Sequence, residues 1–123
     1  MGVRRLLLVD DELEIAQLAA EYFSSLGWDA KCAASVAEAE RLIDKSGQFD
    51  VAVIDWVIGG STARGLIERL EARQPRCRVL LTSGHGVDIL RDNSEGVPVL
   101  RKPFTLRALA LRVAALVPPG TER

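Results

Sequence analysis

Five short apolar runs constrain the fold of this chain more than any other feature. Each is three or four residues long and, apart from Lys31 and Pro98, apolar on both faces of the strand it would form, so that we expect the strand to be buried on both faces. Strands of this kind are typical of parallel sheets, whose neighbouring strands must be joined by crossover connections. The runs are Leu6–Val9, Ala30–Ala33, Val51–Ile54, Val79–Leu81 and Val97–Leu100.

Helical patterns lie between most of these runs. A first helix is predicted from Leu13 to Leu26, ending at Gly27. The sequence "SVAE" is a capping box with Ser35 as the N-cap, and it predicts a second helix to about Ser46. A third helix is predicted over 63–73. The predicted inner face of the first helix is Ile15, Leu18, Ala19, Tyr22, Phe23 and Leu26.

The helical pattern is strong in the last segment of the chain and weak in the connection before it. A final helix is predicted from about Thr105 to the sequence "PPG", whereas only Val87–Asn93 could be helical between the last two strands. We expect one or two turns or an irregular loop there. The alternation of strands and helices predicts an α/β fold with a parallel sheet covered by helices on both faces. At 123 residues, the chain is predicted to be a single domain, 1–123, with Pro118–Arg123 as a tail.

Composition excludes several classes of function. Sixteen basic and seventeen acidic residues leave a net charge of -1, so nothing favours direct binding to nucleic acid or to an anionic membrane. Cys32 and Cys77 match no metal-binding or CxxC spacing and are interpreted as buried thiols in a reducing compartment. The first residues are not expected to form a signal peptide, because their apolar run is short and turns acidic at once, and no apolar stretch approaches the roughly 18 residues that span a bilayer. We therefore predict a cytoplasmic domain.

Carboxylates follow two of the predicted strands. Asp10 and Asp11 come directly after the first strand, and Asp55 ends the third. If these strands are neighbours, the three carboxylates meet at the edge where parallel sheets bind ligands. Oxygen ligands of this kind suit a hard cation, and we expect Mg²⁺ with Mn²⁺ as an alternative. Favourable charges at a helix start would also explain Asp11 and Glu12, but they would not explain Asp55.

The other two informative strand ends carry different chemistry. The fourth strand ends in "LLTSGHG", which contains Thr82 and Ser83, and the fifth in "VLRKPF", which contains Lys102. Each is weak alone. Together with the acids, they form a set that can bind Mg²⁺ and a phosphoryl group. Metal and lysine would neutralise oxygens, a hydroxyl would donate a hydrogen bond, and one aspartate would attack.

Four landmarks, "LLLVDDE", "DVAVIDW", "LLTSGHG" and "LRKPF", occur in order along the chain. In these landmarks and their spacing, the chain resembles the receiver domain of bacterial two-component response regulators, the CheY-like superfamily, along nearly its whole length. The resemblance implies a flavodoxin-like (CheY-like) three-layer sandwich with a five-stranded parallel sheet of order 2-1-3-4-5. It also implies five helices, of which the fourth would be short or irregular in this chain.

The resemblance assigns roles to the metal and acceptor residues. Asp55 matches the phosphoacceptor. Asp11 matches the direct Mg²⁺ ligand, and Asp10 matches the acid that binds the ion directly or through water. The third protein ligand in similar proteins is a backbone carbonyl two residues after the acceptor, which here belongs to Val57. Glu12 is interpreted as a helix-start residue without a chemical role.

Residues around the acceptor also match the family pattern. Ser83, rather than Thr82, matches the hydroxyl that reaches the phosphoryl group and moves on activation, and Lys102 matches the lysine that pairs with it. Pro103 would follow a cis peptide bond. Val57 and His85 occupy positions that tune dephosphorylation in similar proteins, and His85 either touches the phosphoryl group or its attacking water or is a plain loop residue. Two residues are expected to flank the phosphoryl site. These flanking residues are Trp56, interpreted mainly as a loop-packing residue, and His85.

The chain departs from the family pattern at three places. Similar proteins usually have a shorter loop after the acceptor and a proline four residues beyond it, where this chain has Gly59. Their switch aromatic, three residues before the lysine, is Val99 here. The third departure is the reduced fourth helix. The changed loop could alter the fit of a partner or the lifetime of the phosphoryl group. The missing aromatic and the reduced fourth helix put in question the family's usual signalling surface, formed by its fourth helix, fifth strand and fifth helix.

The resemblance implies a signalling phosphoacceptor rather than a conventional enzyme. A sensor histidine kinase or a histidine phosphotransfer protein would phosphorylate Asp55, and the conformational change would signal to a downstream protein. The chain could be a stand-alone regulator or the receiver of a longer protein such as a hybrid histidine kinase. A pseudo-receiver that binds proteins without phosphorylation is the alternative. An aspartyl phosphatase is disfavoured because Val57 stands where its second aspartate would be.

Overall fold

A computed structural model of the chain describes residues 2–84 and 96–117. Within these ranges, strands and helices alternate as the apolar runs predict. The predicted fourth helix, His85 and the tail lie outside the described residues. The elements are β1 (Arg5–Val9), α1 (Leu13–Ser25), β2 (Asp29–Ala33), α2 (Val36–Lys45), β3 (Val51–Asp55), β4 (Val57–Ile58), β5 (Ser61–Thr62), α3 (Arg64–Arg73), β6 (Arg78–Ser83), β7 (Val99–Arg101) and α4 (Leu106–Leu116).

The main sheet is parallel and has the order β2-β1-β3-β6-β7. Since β6 and β7 are the predicted fourth and fifth strands, the expected order 2-1-3-4-5 is confirmed. The sheet is buried on both faces because its side chains alternate between two cores. Leu7 and Ile54 pack with α2 and α3, while Leu6 and Val53 pack with α1 and α4. The three-layer sandwich is therefore confirmed.

The predicted helix starts agree with the observed caps. The Ser35 hydroxyl accepts the Glu38 N–H at 3.1 Å, and the Glu38 carboxylate accepts the Ala34 N–H at 2.8 Å. Before α4, the Thr105 hydroxyl accepts the Ala108 N–H at 3.0 Å. None of the helices within 2–84 and 96–117 has the length and hydropathy needed to cross a bilayer.

The predicted inner face of α1 is partly wrong. Ala16, Ala19 and Phe23 are buried, whereas Leu18 is 59% exposed. Ile15 and Leu26, which were also predicted to face inward, are exposed as well. Apolar residues cover more than one side of this helix, so periodicity alone cannot select the buried stripe. Two alanines and Phe23 face the core, whereas Ile15, Leu18 and Leu26 remain outside it.

The loop after Asp55 forms a hairpin that the apolar pattern does not predict. Strands β4 and β5 pair antiparallel, with Val57 opposite Thr62. The two-residue turn between them consists of Gly59 and Gly60, with φ angles of 60° and 84°. Positive φ at both turn positions is the type I′ geometry, which glycine adopts without steric cost.

Both cysteines are free thiols, as predicted. Cys77 is buried, and burial raises the pKa of its thiol to about 12. Cys32 is half-buried on β2, and burial raises its pKa as well. Thiols with raised pKa values are protonated near neutral pH, so neither side chain is activated as a nucleophile.

A buried amide joins α2, β3 and α3 at the end of the sheet away from the acidic strand ends. The Gln74 side chain accepts the Phe49 N–H at 2.7 Å. Its NH₂ group donates to the carbonyls of Ile43 and Gly47, each at 2.9 Å. Gln74 is 5% exposed, so water cannot replace these bonds without opening the structure.

Replacing this amide is expected to cost substantial stability. Gln74→Ala leaves one N–H and two carbonyls without their partner and should lower the free energy of unfolding by about 3 kcal/mol. Gln17→Ala, at an exposed position of α1, is the matched control and should change it by less than about 0.5 kcal/mol. Urea denaturation followed by circular dichroism measures both. Equal losses for the two variants would contradict this role of Gln74.

Candidate functional site

Four strand ends converge at one edge of the sheet. Asp10 follows β1 and Asp55 ends β3, and these strands are neighbours. Ser83 ends β6, and Lys102 follows β7. Because all four strands are parallel, their carboxyl ends lie at the same edge, where α/β proteins bind ligands. The four strand ends that the sequence singled out are therefore brought together.

The three predicted carboxylates form one cluster. Each of Asp10, Asp11 and Asp55 offers an oxygen, and these oxygens lie within 4.8 Å of one another. Asp10 and Asp55 are 8% and 9% exposed, whereas Asp11 is exposed. Carboxylate oxygens at this separation are the donor chemistry that a hard divalent cation prefers, so the residues present fit Mg²⁺.

Backbone N–H groups hold two of these carboxylates. The Glu12 N–H donates to Asp10 Oδ1 at 2.9 Å, which ties the acid to the start of α1. The Gly59 N–H, from the hairpin turn, donates to Asp11 Oδ2 at 2.9 Å. Side-chain patterns carry no direct signal for such backbone donors, and sequence reasoning missed both.

Lys102 joins the carboxylates of two strands. Its Nζ donates to Asp10 Oδ2 at 3.1 Å and to Asp55 Oδ2 at 3.2 Å. All three side chains are largely buried, and salt screens a pair of this kind much less than an exposed one. The ammonium group therefore offsets the repulsion between two adjacent acids.

The environment shifts two pKa values at this centre. Burial is the largest influence on Asp55, and together with the charge of Asp10 it raises the pKa of that carboxyl, against the opposing effects of Lys102 and the Val57 N–H. Burial disfavours the charged form of Lys102. Its hydrogen bond to Asp10 and the negative charges of Asp55 and Asp10 outweigh that effect and raise its pKa. The lysine is thus held protonated, while Asp55 ionises at an energetic cost.

A surface cavity of about 520 Å³ opens above these groups. Ser83 lines it, whereas Thr82 lines a different, smaller cavity beneath α1. The two hydroxyl residues thus line different cavities, and the role expected of Ser83 at a phosphoryl group stays a prediction. The full lining is Glu12, Asp55, Trp56, Val57, Ser83, Gly84, Lys102 and Pro103.

The residues flanking Asp55 have different environments. Trp56 is 3% exposed, packs within the core beside α3 and has the Arg64 guanidinium 5.6 Å from its ring centre. Val57 is 43% exposed in β4. The peptide bond between Lys102 and Pro103 is cis, as the resemblance implies. Trp56 is thus a packing residue that also forms part of the cavity wall.

Glu12 and Val99 also have defined places. Glu12 lines the cavity, although sequence reasoning assigned it no role beyond the helix start. In the sequence, only the position of Glu12 as the third consecutive acid indicated that it could lie near the site. Val99 is half-buried in the edge strand β7 and packs against the core beside α2 and α3.

Comparison with known proteins gives one consistent family. The response regulator receiver domain matches residues 6–114. The regulatory protein VanR of Enterococcus faecium is 28% identical over 116 residues, covering 90% of this chain and 48% of that protein. Sensor kinase CckA of Brucella abortus is 28% identical over 120 residues, covering 94% of this chain and 13% of that protein. The chain thus spans less than half the length of these curated relatives.

Solved structures give the same result. The receiver domain of Francisella response regulator 1452 is 28% identical, with a TM-score of 0.77 and coverage of 92% of this chain and 95% of that one. The family match extends over most of the chain and includes the ends of all five strands in the main sheet. The chain therefore belongs to the response regulator receiver domain family, whose members are the signalling phosphoacceptors of two-component systems.

Proposed function

We propose that Asp55 accepts a phosphoryl group from a sensor histidine kinase or a histidine phosphotransfer protein, in a reaction that requires Mg²⁺, with Mn²⁺ as an alternative. The observation that carries this proposal is the Lys102 ammonium, which contacts both Asp55 and Asp10 beneath an open cavity. A nucleophilic carboxylate, an adjacent cation and a further pair of acids are the parts that phosphoryl transfer needs.

The proposed transfer forms one bond to phosphorus and breaks one. An Asp55 carboxylate oxygen attacks phosphorus, the bond from phosphorus to the donor's imidazole nitrogen breaks, and that nitrogen keeps the electron pair. Lys102 neutralises charge on the phosphoryl oxygens. Ser83, buried at the cavity wall, donates its hydroxyl to another of these oxygens.

The metal ligands follow from the acidic cluster. Asp10, Asp11 and Asp55, with the backbone carbonyl of Val57, would hold the cation. When bound, the cation would supply charge neutralisation for the acids and for the transferred group. The close approach of the three carboxylates supports this assignment.

Phosphorylation would change the contacts of Ser83 and Lys102 and expose an altered surface to a downstream protein. Val99 cannot act as an aromatic switch, so the change would reach that surface by another route. Pro103, which follows the cis bond, lines the cavity beside Lys102. Trp56 and His85 would flank the phosphoryl group.

We further propose that residues 1–123 form one receiver unit in a cytoplasmic, reducing compartment, which the two free thiols support. The match to VanR supports a response regulator, and the match to a sensor kinase supports a receiver joined to a hybrid kinase. Neither arrangement requires direct contact with nucleic acid or membrane by this domain.

Intact mass spectrometry tests the proposed acceptor. Incubation with acetyl phosphate or phosphoramidate and Mg²⁺ should add one phosphoryl group to the wild type and none to Asp55→Asn. Chelation of the metal should abolish the addition. Asp44→Asn, which changes an aspartate on α2 outside the site, should behave as the wild type. If the wild type gains no mass, the pseudo-receiver that binds proteins without phosphorylation becomes the better proposal.

Denaturation tests the cost of the buried charge. A raised pKa means that ionised Asp55 destabilises the folded protein at pH values above its folded pKa, a penalty that disappears below its ordinary value of 3.8. With chelator at pH 7, Asp55→Asn should therefore raise the free energy of unfolding by on the order of 1 kcal/mol. The gain should shrink as the pH falls towards 4.

The same experiment with Mg²⁺ supplies the control. The ion should stabilise the wild type more than Asp55→Asn, because the variant lacks one carboxylate ligand. Urea denaturation at several Mg²⁺ concentrations measures the difference. A variant that is less stable than the wild type in chelator would show that the Lys102 contact outweighs burial, contrary to this expectation.

A further inference from the structure

Asp11 is held differently from the other two acids. Asp10 and Asp55 are buried and contact Lys102, whereas Asp11 is exposed and accepts the Gly59 N–H at 2.9 Å. An exposed carboxylate that has no such bond samples several side-chain rotamers. A hydrogen bond to an ionised acceptor is stronger than one between neutral groups. The bond from Gly59 therefore fixes one oxygen of Asp11 and orients the other.

The Gly59 N–H is itself held in place by the hairpin. The turn is tight, and β4 and β5 pair on either side of it. At the base of the hairpin, the Ala63 N–H donates to the Trp56 carbonyl at 2.7 Å, and the Trp56 N–H donates to the Thr82 carbonyl at 2.8 Å. Ile58, between them and the turn, is 3% exposed and packs in the core. The donor thus stands on a pre-organised element anchored to the main sheet.

We propose that the Gly59 N–H is a positioning group for the divalent cation, and that the β4–β5 hairpin thereby sets the affinity of the site for Mg²⁺. This inference rests on the function proposed above. The same hairpin carries Val57, whose carbonyl is the proposed backbone ligand, so one element contacts or orients two of the ligands. A proline at position 59 has no N–H and could not make this bond.

Three variants separate the bond from general effects on folding. Gly59→Pro removes the N–H and the positive φ. Gly59→Asn keeps both, because asparagine tolerates left-handed backbone and asparagine-glycine favours this turn. Gly27→Pro is the matched control. Gly27 also has a positive φ, 97°, and donates its N–H to the Ser24 carbonyl at 3.0 Å, but at the far end of α1 from the acids.

Mg²⁺ titration followed by Trp56 fluorescence, in a Trp28→Phe background, measures the dissociation constant. Gly59→Pro should raise it about 10-fold, as loss of a group that orients a metal ligand typically does. Gly59→Asn should stay within about twofold of the parent. Gly27→Pro should lower the melting temperature without changing Mg²⁺ affinity. An unchanged dissociation constant for folded Gly59→Pro would overturn the inference.

Amide NMR spectra of the unmutated chain give a second measurement that does not depend on how the variants fold. Mg²⁺ should shift the Gly59 amide resonance more than that of Gly27, because only Gly59 bonds a proposed ligand. A Gly59 resonance that does not move while the chain binds Mg²⁺ would overturn the positioning role and leave the phosphoacceptor function intact. A chain that binds no Mg²⁺ and accepts no phosphoryl group would overturn both proposals.

Discussion

One ammonium group, Lys102 Nζ, makes the arrangement of the strand ends tolerable. Asp10 and Asp55 stand on neighbouring strands and are both largely buried, where two like charges repel more strongly than in water. Lys102 comes from the end of β7, two strands away from β3, and contacts both. The repulsion between the two buried acids is therefore offset only because the sheet order places the lysine beside both of them.

Much of this arrangement could be predicted from the sequence, because it depends on features with strong local signals. The apolar runs fix which residues are strands, and the chemistry at their ends follows once the strands are parallel. Asp10, Asp55, Ser83 and Lys102 each stand within one residue of a strand end. The pairing of β1 with β3 was needed to bring the acids together, and it was inferred from the family resemblance rather than from the apolar runs.

The other features of the structure had weak signals in the sequence or none. The buried stripe of α1 was mistaken because large apolar residues such as Leu18 lie outside it, and only packing against the sheet selects the alanine face. The hairpin was missed because its strands are two residues each, too short for periodicity to register. The bond from Gly59 to Asp11 joins residues 48 apart and uses a backbone donor, which no side-chain pattern encodes.

The two ends of the sheet have opposite effects on the stability of the fold. The buried Gln74 amide ties three elements together at one end, while the other end gathers charges that oppose folding. Because Gln74 lies at the end of the sheet away from the acids, none of these three side-chain hydrogen bonds involves the hairpin. A loop after Asp55 of another length or sequence would therefore leave these three bonds in place.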